Sequence, residues 1–142
     1  MSDPRPNNTP WLAPYLMVKS AEAALDFYER AFGFARGNAV NHDGKVQHAE
    51  MYYRGQIVVM FAPEGAFGST AKAPATLGVE ASQTFYVYVD DVDSLFARAN
   101  AADAKALMPP ADMFWGDRYC MLQDPDGYRW GFARHLAKPA VA

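Results

Sequence analysis

Hydrophobic positions change their period along the first half of the chain, and each change predicts a different element. The apolar run Tyr15–Val18 predicts a short strand. Ser20 then offers a helix N-cap, and apolar residues recur at helical spacing until Gly33, so a helix is predicted between these two residues. Turn residues bound two further strands, Lys45–Tyr53 and Gln56–Ala62. The first half therefore predicts a strand, a helix and then a β-meander.

The second half repeats this order of patterns. Thr84–Val89 predicts a strand, and Asp91 caps a helix whose apolar stripe runs to Ala102. Landmarks of the two halves lie 71 or 72 residues apart: Val18 and Val89, Gly44 and Gly116, Gly55 and Gly127. Such a constant offset indicates an internal duplication of a βαβββ module. The helix of a module covers one face of its sheet, so we expect the partner module to close the other face.

These patterns predict one domain with two modules. A tail over residues 1–10 is rich in Pro, Asn and Asp and is expected to be mobile. The domain proper spans 11–136, with module one at 11–62, a linker at 63–82 and module two at 83–136, and 137–142 form a second tail. The linker lacks periodicity, which leaves two interpretations open, a passive connection and a lid or dimer contact.

Composition and charge exclude several classes of function. A net charge of -3 without a basic cluster gives no electrostatic footprint for nucleic acid. No apolar stretch is long enough to span a bilayer, and the first ten residues lack the apolar segment of a signal peptide. The single cysteine, Cys120, excludes an intrachain disulfide and fits a reducing compartment, so we expect a cytoplasmic protein.

Four segments of the chain are specific enough to suggest a family: Ala24–Gly33, His48–Glu50, Phe114–Tyr119 and Asp124–Trp130. Together with the paired modules, they resemble the PhnB-like branch of the vicinal-oxygen-chelate superfamily, which contains glyoxalases, bleomycin-resistance proteins and extradiol dioxygenases. The resemblance implies an α+β fold in which two paired βαβββ modules form a sheet cup. It also implies a homodimer and a small organic ligand in that cup.

The same resemblance implies where a divalent metal would bind. The ligand positions of metal-binding members fall on Ala13, Val59, Thr84 and Gly131. Only Thr84 has an oxygen in its side chain, and such a metal needs three or four good ligands. We therefore expect neither the usual metal nor another cofactor.

Strand parity in the predicted hairpins indicates which side chains point into the cup. Opposed residues of an antiparallel pair point to the same side. If Arg54 and Gly55 form a two-residue loop, Glu50 opposes Val59 and His48 opposes Phe61. A two-residue loop at Pro125–Asp126 or Asp126–Gly127 puts these residues on the face of Gly131: Arg118, Cys120, Leu122, Arg129 and His135. Parity with Ala13 and Thr84 adds Tyr15, Met17, Tyr86 and Tyr88.

The predicted cup is therefore aromatic, with a few polar groups. The candidate catalytic residues are Glu50, His48 and Arg118. The candidate ligand-binding residues are Tyr15, Met17, Phe61, Tyr86, Tyr88, Trp115 and Cys120.

Purely structural roles are open for the same residues. Glu50 and Arg118 can be a buried ion pair, and His48 can be a hydrogen-bonded core residue. The tyrosines can be plain packing, and Cys120 is expected to be inert. Trp115 can pack over a turn that Asp117 locks.

Three functions remain open at this point. A metal-free protein could bind a planar ligand on the aromatic wall. An enzyme could transfer a proton next to a carbonyl, with Glu50 as base and Arg118 or His48 stabilising the enolate. A relocated metal could bind to His48 and Glu50, with His135 as a third ligand.

Overall fold

The computed structural model describes residues 1–137, and the chain divides into two compact units at the peptide bond between Ala73 and Pro74. Of the predicted C-terminal tail, 137–142, only Ala137 lies within the described residues. The first unit contains β1 (Tyr15–Val18), α1 (Ala21–Phe32), β2 (Ala35–His42), β3 (Lys45–Tyr53) and β4 (Gln56–Pro63). The second unit contains α2 (Pro74–Leu77), β5 (Thr84–Tyr88), α3 (Val92–Ala101), β6 (Lys105–Asp112), β7 (Asp117–Gln123) and β8 (Arg129–His135).

Each unit forms one four-stranded sheet, and the two sheets have the same topology. The orders are β1-β4-β3-β2 and β5-β8-β7-β6, with the first strand of each unit parallel to the last and the other pairs antiparallel. Two βαβββ modules with identical strand order confirm the duplication that the constant sequence offset predicts. The predicted α+β fold of paired βαβββ modules is confirmed as well.

The helices begin where the sequence predicts, because the capping side chains form the expected hydrogen bonds. The Ser20 hydroxyl accepts from the backbone N–H of Ala23, and the Asp91 carboxylate accepts from that of Ser94. Gly33 ends α1 in the left-handed conformation, with φ 72°. Each helix packs its apolar side on the sheet of its own unit. Each unit therefore has its own core between one helix and one sheet face.

In the first unit, the face of the sheet that packs on α1 carries the large apolar residues. Phe61 is fully buried and lies edge-on to Tyr28 of the helix, with ring centroids 5.6 Å apart. Leu16 pairs with Phe61 in the sheet, and Val59 is also fully buried. The predicted ligand-binding role of Phe61 is therefore wrong, because Phe61 belongs to the core.

A β-bulge is the physical reason for that error. Tyr53 pairs with Gln56 as the two-residue loop predicts, but the register shifts between the pairs Tyr52–Ile57 and Met51–Val59. Beyond the bulge Glu50 opposes Met60, and Ala49 opposes Phe61. The predicted oppositions of Glu50 with Val59 and of His48 with Phe61 are both wrong.

In the second unit, the hairpin between β7 and β8 has three loop residues rather than two. The backbone groups of Asp124 and Tyr128 close the hairpin, and Gly127 has φ 90°. The Asp124 carboxylate accepts from the N–H groups of Asp126 and Tyr128 and from the indole of Trp130, at 2.9 to 3.0 Å. This buried carboxylate fixes the loop.

One additional loop residue reverses the side to which every side chain of a strand points. Cys120 pairs with Phe132, and Met121 pairs with Gly131. Arg118, Cys120 and Leu122 therefore do not share the face of Gly131, and this parity prediction is wrong. Cys120 is fully buried in the core below α3.

The segments outside the modules contain more structure than their composition predicts. The carbonyl of Asn8 accepts from Ile57 N–H at 2.9 Å, so the predicted mobile tail is hydrogen-bonded to β4. The predicted linker contains a 3₁₀ turn, Ala66–Gly68, and the helix α2. The carbonyl of Asp126 accepts from Ala75 N–H at 2.9 Å, which attaches α2 to the β7–β8 loop. No helix of the described residues is long and apolar enough to cross a membrane.

Candidate functional site

We call the side of each sheet that faces away from its helix the open face, and in the first unit this face carries a chain of polar groups. The Tyr15 hydroxyl lies 2.8 Å from His48 Nδ1, and His48 Nε2 lies 3.0 Å from a carboxylate oxygen of Glu50. His48 and Glu50 are at i and i+2 on β3, so they share one side of the strand. Their side chains are 19% and 16% exposed, whereas Tyr15 is 46% exposed. Tyr15 is therefore the most exposed of these three hydrogen-bonded side chains.

The donors and acceptors of these three side chains determine which group donates in each hydrogen bond. An ionised carboxylate only accepts, so His48 Nε2 carries a hydrogen toward Glu50. In neutral imidazole Nδ1 is then bare and accepts from the Tyr15 hydroxyl. Burial and the nearby charge of Glu50 raise the pKa of Tyr15, which keeps its hydroxyl protonated. Met17 follows on the same side of β1, two residues beyond Tyr15.

In the second unit the open face is organised around one buried carboxylate. Asp117 is 3% exposed. The hydroxyl of Tyr86 donates to Asp117 Oδ2 at 2.6 Å, and the hydroxyl of Tyr88 donates to the same oxygen at 2.9 Å. His135 Nδ1 lies 3.0 Å from Oδ1. The hydrogen bond from Tyr86, supported by those from His135 and Tyr88, lowers the pKa of Asp117 despite its burial.

Aromatic rings extend this network toward the surface. The indole N–H of Trp115 donates to the Tyr86 hydroxyl at 2.9 Å. Tyr86 stacks on Tyr119 at a centroid distance of 5.2 Å, and Trp115 stands edge-on to Tyr119 at 5.8 Å. Trp115, Tyr86 and Tyr88 are 42%, 43% and 55% exposed. These rings form a partly exposed aromatic surface with a fixed orientation.

Gly131 makes room for this arrangement. A Cβ at residue 131 would lie 2.7 Å from Cζ of Tyr119, closer than side chains tolerate. The glycine therefore lets the Tyr119 ring lie flat against β8 and below Tyr86. The residue at which the family resemblance places a metal ligand is in this chain a packing site for an aromatic ring.

Arg118 is held on the opposite side of the second sheet. Its guanidinium forms two hydrogen bonds with Asp93 of α3, at 2.7 and 2.8 Å, and one with Asp112 at 2.9 Å. These carboxylates raise the pKa of Arg118, and Arg118 lowers the pKa of Asp93. Both partners belong to the same unit as Arg118. Arg118 therefore links the start of α3 to the sheet through these ion pairs. We do not place it among the candidate catalytic groups.

The donor set does not fit the metal that the family resemblance implies. The positions Ala13, Thr84 and Gly131 offer at most one hydroxyl. The corrected register moves the fourth position from Val59 to Met60, which pairs with Tyr15 as Gly131 pairs with Tyr86. A thioether is a poor ligand for a hard divalent ion. Within residues 1–137 no three His, Cys, Asp or Glu side chains gather as a metal site would require.

Sequence patterns bring some of these residues together and miss others. Strand parity predicts that Tyr15, His48, Glu50, Tyr86 and Tyr88 all point into the cup. The structure places the first three on the open face of the first sheet and the two others on that of the second. The same patterns leave a turn lock and a binding role equally open for Asp117 and do not single out Tyr119. The spacing of Asp117, Tyr119 and Met121 is the signal that could have found them, because alternate residues share a strand face.

A duplicated βαβββ chain with polar and aromatic side chains on its open sheet faces belongs to a recognisable class of small α+β proteins. The model of the Glyoxalase/Bleomycin resistance protein/Dioxygenase superfamily matches residues 10–132. The chain belongs to this superfamily. Its placement in the PhnB-like branch stays a prediction.

Individual relatives agree with this assignment. The uncharacterized protein Rv0887c of Mycobacterium tuberculosis is 35% identical over 131 residues, which cover 90% of this chain and 76% of that protein. TioX from Micromonospora sp. ML1 is similar in structure with a TM-score of 0.68 and 30% identity, covering 88% of this chain and 99% of TioX. The Arabidopsis thaliana AT5G48480 product has a TM-score of 0.69 at 21% identity, covering 88% and 98%, and shows the fold alone.

Proposed function

We propose that this protein binds a small organic molecule with a planar aromatic part on the open face of its second sheet. The observation that supports the proposal is the orientation of three partly exposed rings, those of Tyr86, Tyr88 and Trp115, by hydrogen bonds to one another and to buried Asp117. A protein that used these rings only for packing would bury them. Rings fixed before binding lose little entropy when a ligand stacks on them.

The test uses quinoline as a neutral planar probe and follows the indole N–H signals of the three tryptophans by NMR. We expect the Trp115 signal to shift and saturate with quinoline. Trp11, which is 74% exposed on the first unit, and Trp130, which is fully buried, serve as internal controls. The Trp115 response should persist in a Trp11→Ala variant. Equal shifts of Trp11 and Trp115, or no shift at millimolar quinoline, would contradict the proposal.

We propose further that this binding needs no divalent metal, because the four family ligand positions carry no suitable set of donors. Elemental analysis of protein purified without chelator should find far less than one zinc, nickel, manganese or iron per chain. One tightly bound ion per chain would refute the metal-free proposal. It would then favour a metal site that includes His48 and Glu50.

A second candidate function is general acid–base catalysis on the first sheet. The hydrogen-bonded order Glu50, His48, Tyr15 supports it, since a carboxylate that orients an imidazole toward a hydroxyl is the arrangement of many catalytic bases. In this scheme His48 Nδ1 takes the proton of the Tyr15 hydroxyl as that oxygen takes a proton from a substrate. Glu50 stabilises the imidazolium that forms. Arg118 has no part in it.

The acid–base proposal can be tested with 5-nitrobenzisoxazole, whose ring opens when a base removes one carbon-bound proton. The wild-type rate should exceed that of free imidazole at equal concentration, and His48→Gln and Glu50→Gln should each lower it about tenfold or more. His42→Gln is the matched control, because His42 is 77% exposed at the end of β2. A wild-type rate no higher than imidazole, or an equal loss in the control, would refute this function.

The assembly and location of the protein are proposals too. We propose a homodimer, because the edge strand β2 is long and mostly exposed, and association is one way in which proteins cover such edges. We also propose a cytoplasmic location, because a single cysteine fits a reducing compartment.

A further inference from the structure

We infer that the ligand of the second sheet's open face is an organic cation, with a quaternary or protonated nitrogen next to its planar part. The inference rests on the proposed aromatic binding function and names the class of ligand. Three independent features of the face support it. They are the charge of Asp117, the geometry of the rings and the use of the Tyr86, Tyr88 and Trp115 donors within the network.

The first feature is a negative charge that no arginine or lysine neutralises within the described residues. The side chain of Asp117 is bonded to two phenol groups and to the imidazole of His135. Its neighbour Arg118 is held by Asp93 and Asp112 on the other side of the sheet. A buried carboxylate below exposed rings attracts a cation that binds above them, and this attraction is stronger there than in water.

The second feature is the arrangement of the rings. Aromatic faces carry a negative quadrupole, so a cation within about 6 Å of several faces is attracted by each. Trp115 is tilted by 68° from Tyr119, and Tyr88 by 56° from Tyr86. The exposed rings therefore turn their faces in different directions at the Asp117 end of the sheet. Aromatic faces inclined to one another are the usual way in which proteins bind quaternary ammonium groups.

The third feature is that three hydrogen-bond donors of this face are already used within the network. The hydroxyl hydrogens of Tyr86 and Tyr88 point to Asp117, and the indole hydrogen of Trp115 points to Tyr86. These three groups therefore offer a ligand only lone pairs and π faces. An anionic ligand would find no donor among them and would be repelled by Asp117. A cation satisfies both the lone pairs and the charge.

Two other residues with basic side chains share the face and limit where the cation can bind. His135 occupies one side of Asp117, with its Nδ1 3.0 Å from Oδ1. Arg129 is six residues from His135 along β8, about 20 Å at the usual rise of a strand. It lies 3.5 Å from a carboxylate oxygen of Glu80. The cation is therefore expected at the Asp117 end, beside Tyr88 and Trp115.

The experiment compares three probes of similar shape at pH 8 and low salt: N-methylquinolinium, the neutral 4-methylquinoline and the anionic quinoline-4-carboxylate. Binding is measured from the shift of the Trp115 indole N–H. The cation should bind about tenfold more tightly than the neutral probe, equivalent to about 1.4 kcal/mol, and the anion should bind most weakly. High salt should reduce this preference only partly, since Asp117 is buried.

Two variants with the same change in net charge locate the origin of the preference. Asp117→Asn should bring the cation and neutral probes to within about twofold of each other. Asp93→Asn, on the α3 side of the sheet, should keep the tenfold preference.

The outcomes separate this inference from the proposed function. If the neutral probe binds as tightly as the cation, the inference is wrong while aromatic binding stands. If both Asp variants lose the preference equally, net charge and not Asp117 causes it, and the inference is wrong again. If none of the three probes moves the Trp115 signal, the proposed function fails and the inference fails with it.

Discussion

Replacement of Asp117 by alanine is the most informative single change, because one buried carboxylate holds most of the second sheet's open face. The variant removes the acceptor of three hydrogen bonds, from Tyr86, Tyr88 and His135. Loss of this acceptor frees the tyrosine hydroxyls and, through Tyr86, the indole of Trp115. We expect the protein to fold, to melt earlier and to lose the fixed orientation of the rings.

The expected magnitude follows from the number and exposure of these hydrogen bonds. A hydrogen bond to a charged group contributes about 1.5 to 3 kcal/mol net. The three donors are partly exposed and can form hydrogen bonds with water in the variant. Each lost hydrogen bond should therefore cost no more than the lower value of that range. We expect Asp117→Ala to cost about 2 to 4 kcal/mol. Asp117→Asn keeps one acceptor oxygen, and it should cost about half as much.

The pH dependence has a definite sign. The pKa of Asp117 is lowered from its ordinary value of 3.8, so folding favours the ionised carboxylate. Its stabilising effect is complete above the pKa of the unfolded chain and is lost as the pH falls through the lower folded value. The stability difference between wild type and Asp117→Ala should therefore be constant from about pH 5 to 8 and shrink below about pH 4.

Urea denaturation at a series of pH values measures this difference, and near-ultraviolet circular dichroism reports the orientation of the rings. Asp26→Ala is the matched control, since its carboxylate is 63% exposed and lies 3.4 Å from Arg30. The control should change stability by less than about 0.5 kcal/mol. A similarly small change in Asp117→Ala, or a difference that grows as the pH falls, would refute the reasoning.

Three further predictions concern the rest of the molecule. Glu50→Gln and Arg118→Met should each lower the melting temperature. Their effects should be additive in the double variant, because the two residues share no hydrogen-bond partner. A melting temperature that recovers in the double variant would instead support a buried Glu50–Arg118 ion pair. Burial raises the pKa of Cys120 to about 11, so a disulfide reagent at pH 8 should modify native protein about a hundredfold more slowly than unfolded protein, and equal rates would contradict that burial. Light scattering after size exclusion should give twice the 15.7 kDa chain mass, and the chain mass itself at micromolar concentration would refute the dimer.

The sequence predicts the elements well, because local rules fix them. The capping groups Ser20 and Asp91 and the left-handed Gly33 act within one turn of the chain. The strand β3 has the bounds that its flanking turns predict. The constant offset between the halves predicts the repeated topology without any knowledge of the packing.

The orientation of side chains is harder to predict, because it depends on counting residues through a turn. A bulge in β4 and a third loop residue before Tyr128 each shift the register by one. One such shift places Phe61 in the predicted site instead of the core, and the other does the same to Cys120. Neither feature has a clear local signature, although the Asp124–Gly127 loop has the glycine that a three-residue hairpin needs.

Comparison of equivalent positions shows how one module gave two different surfaces. Tyr15 pairs with Met60 as Tyr86 pairs with Gly131, so the two tyrosines are structural equivalents. Across the next strand pair, Glu50 opposes Met60, and Met121 opposes Gly131.

The glycine is the decisive difference between the two faces. Without a side chain at residue 131, the Tyr119 ring occupies that space and stacks below Tyr86, while Asp117 binds the hydroxyl from the side. With methionine at residue 60, the position equivalent to Tyr119 carries His48, whose ring is tilted by 33° from that of Tyr15 at a centroid distance of 5.5 Å. Tyr15 donates to this imidazole, which Glu50 orients. The same tyrosine position therefore ends a hydrogen-bonded series Glu50, His48, Tyr15 in one module and carries an exposed aromatic ring over Tyr119 in the other. This difference is the reason why we propose acid–base chemistry only for the first sheet and cation binding only for the second.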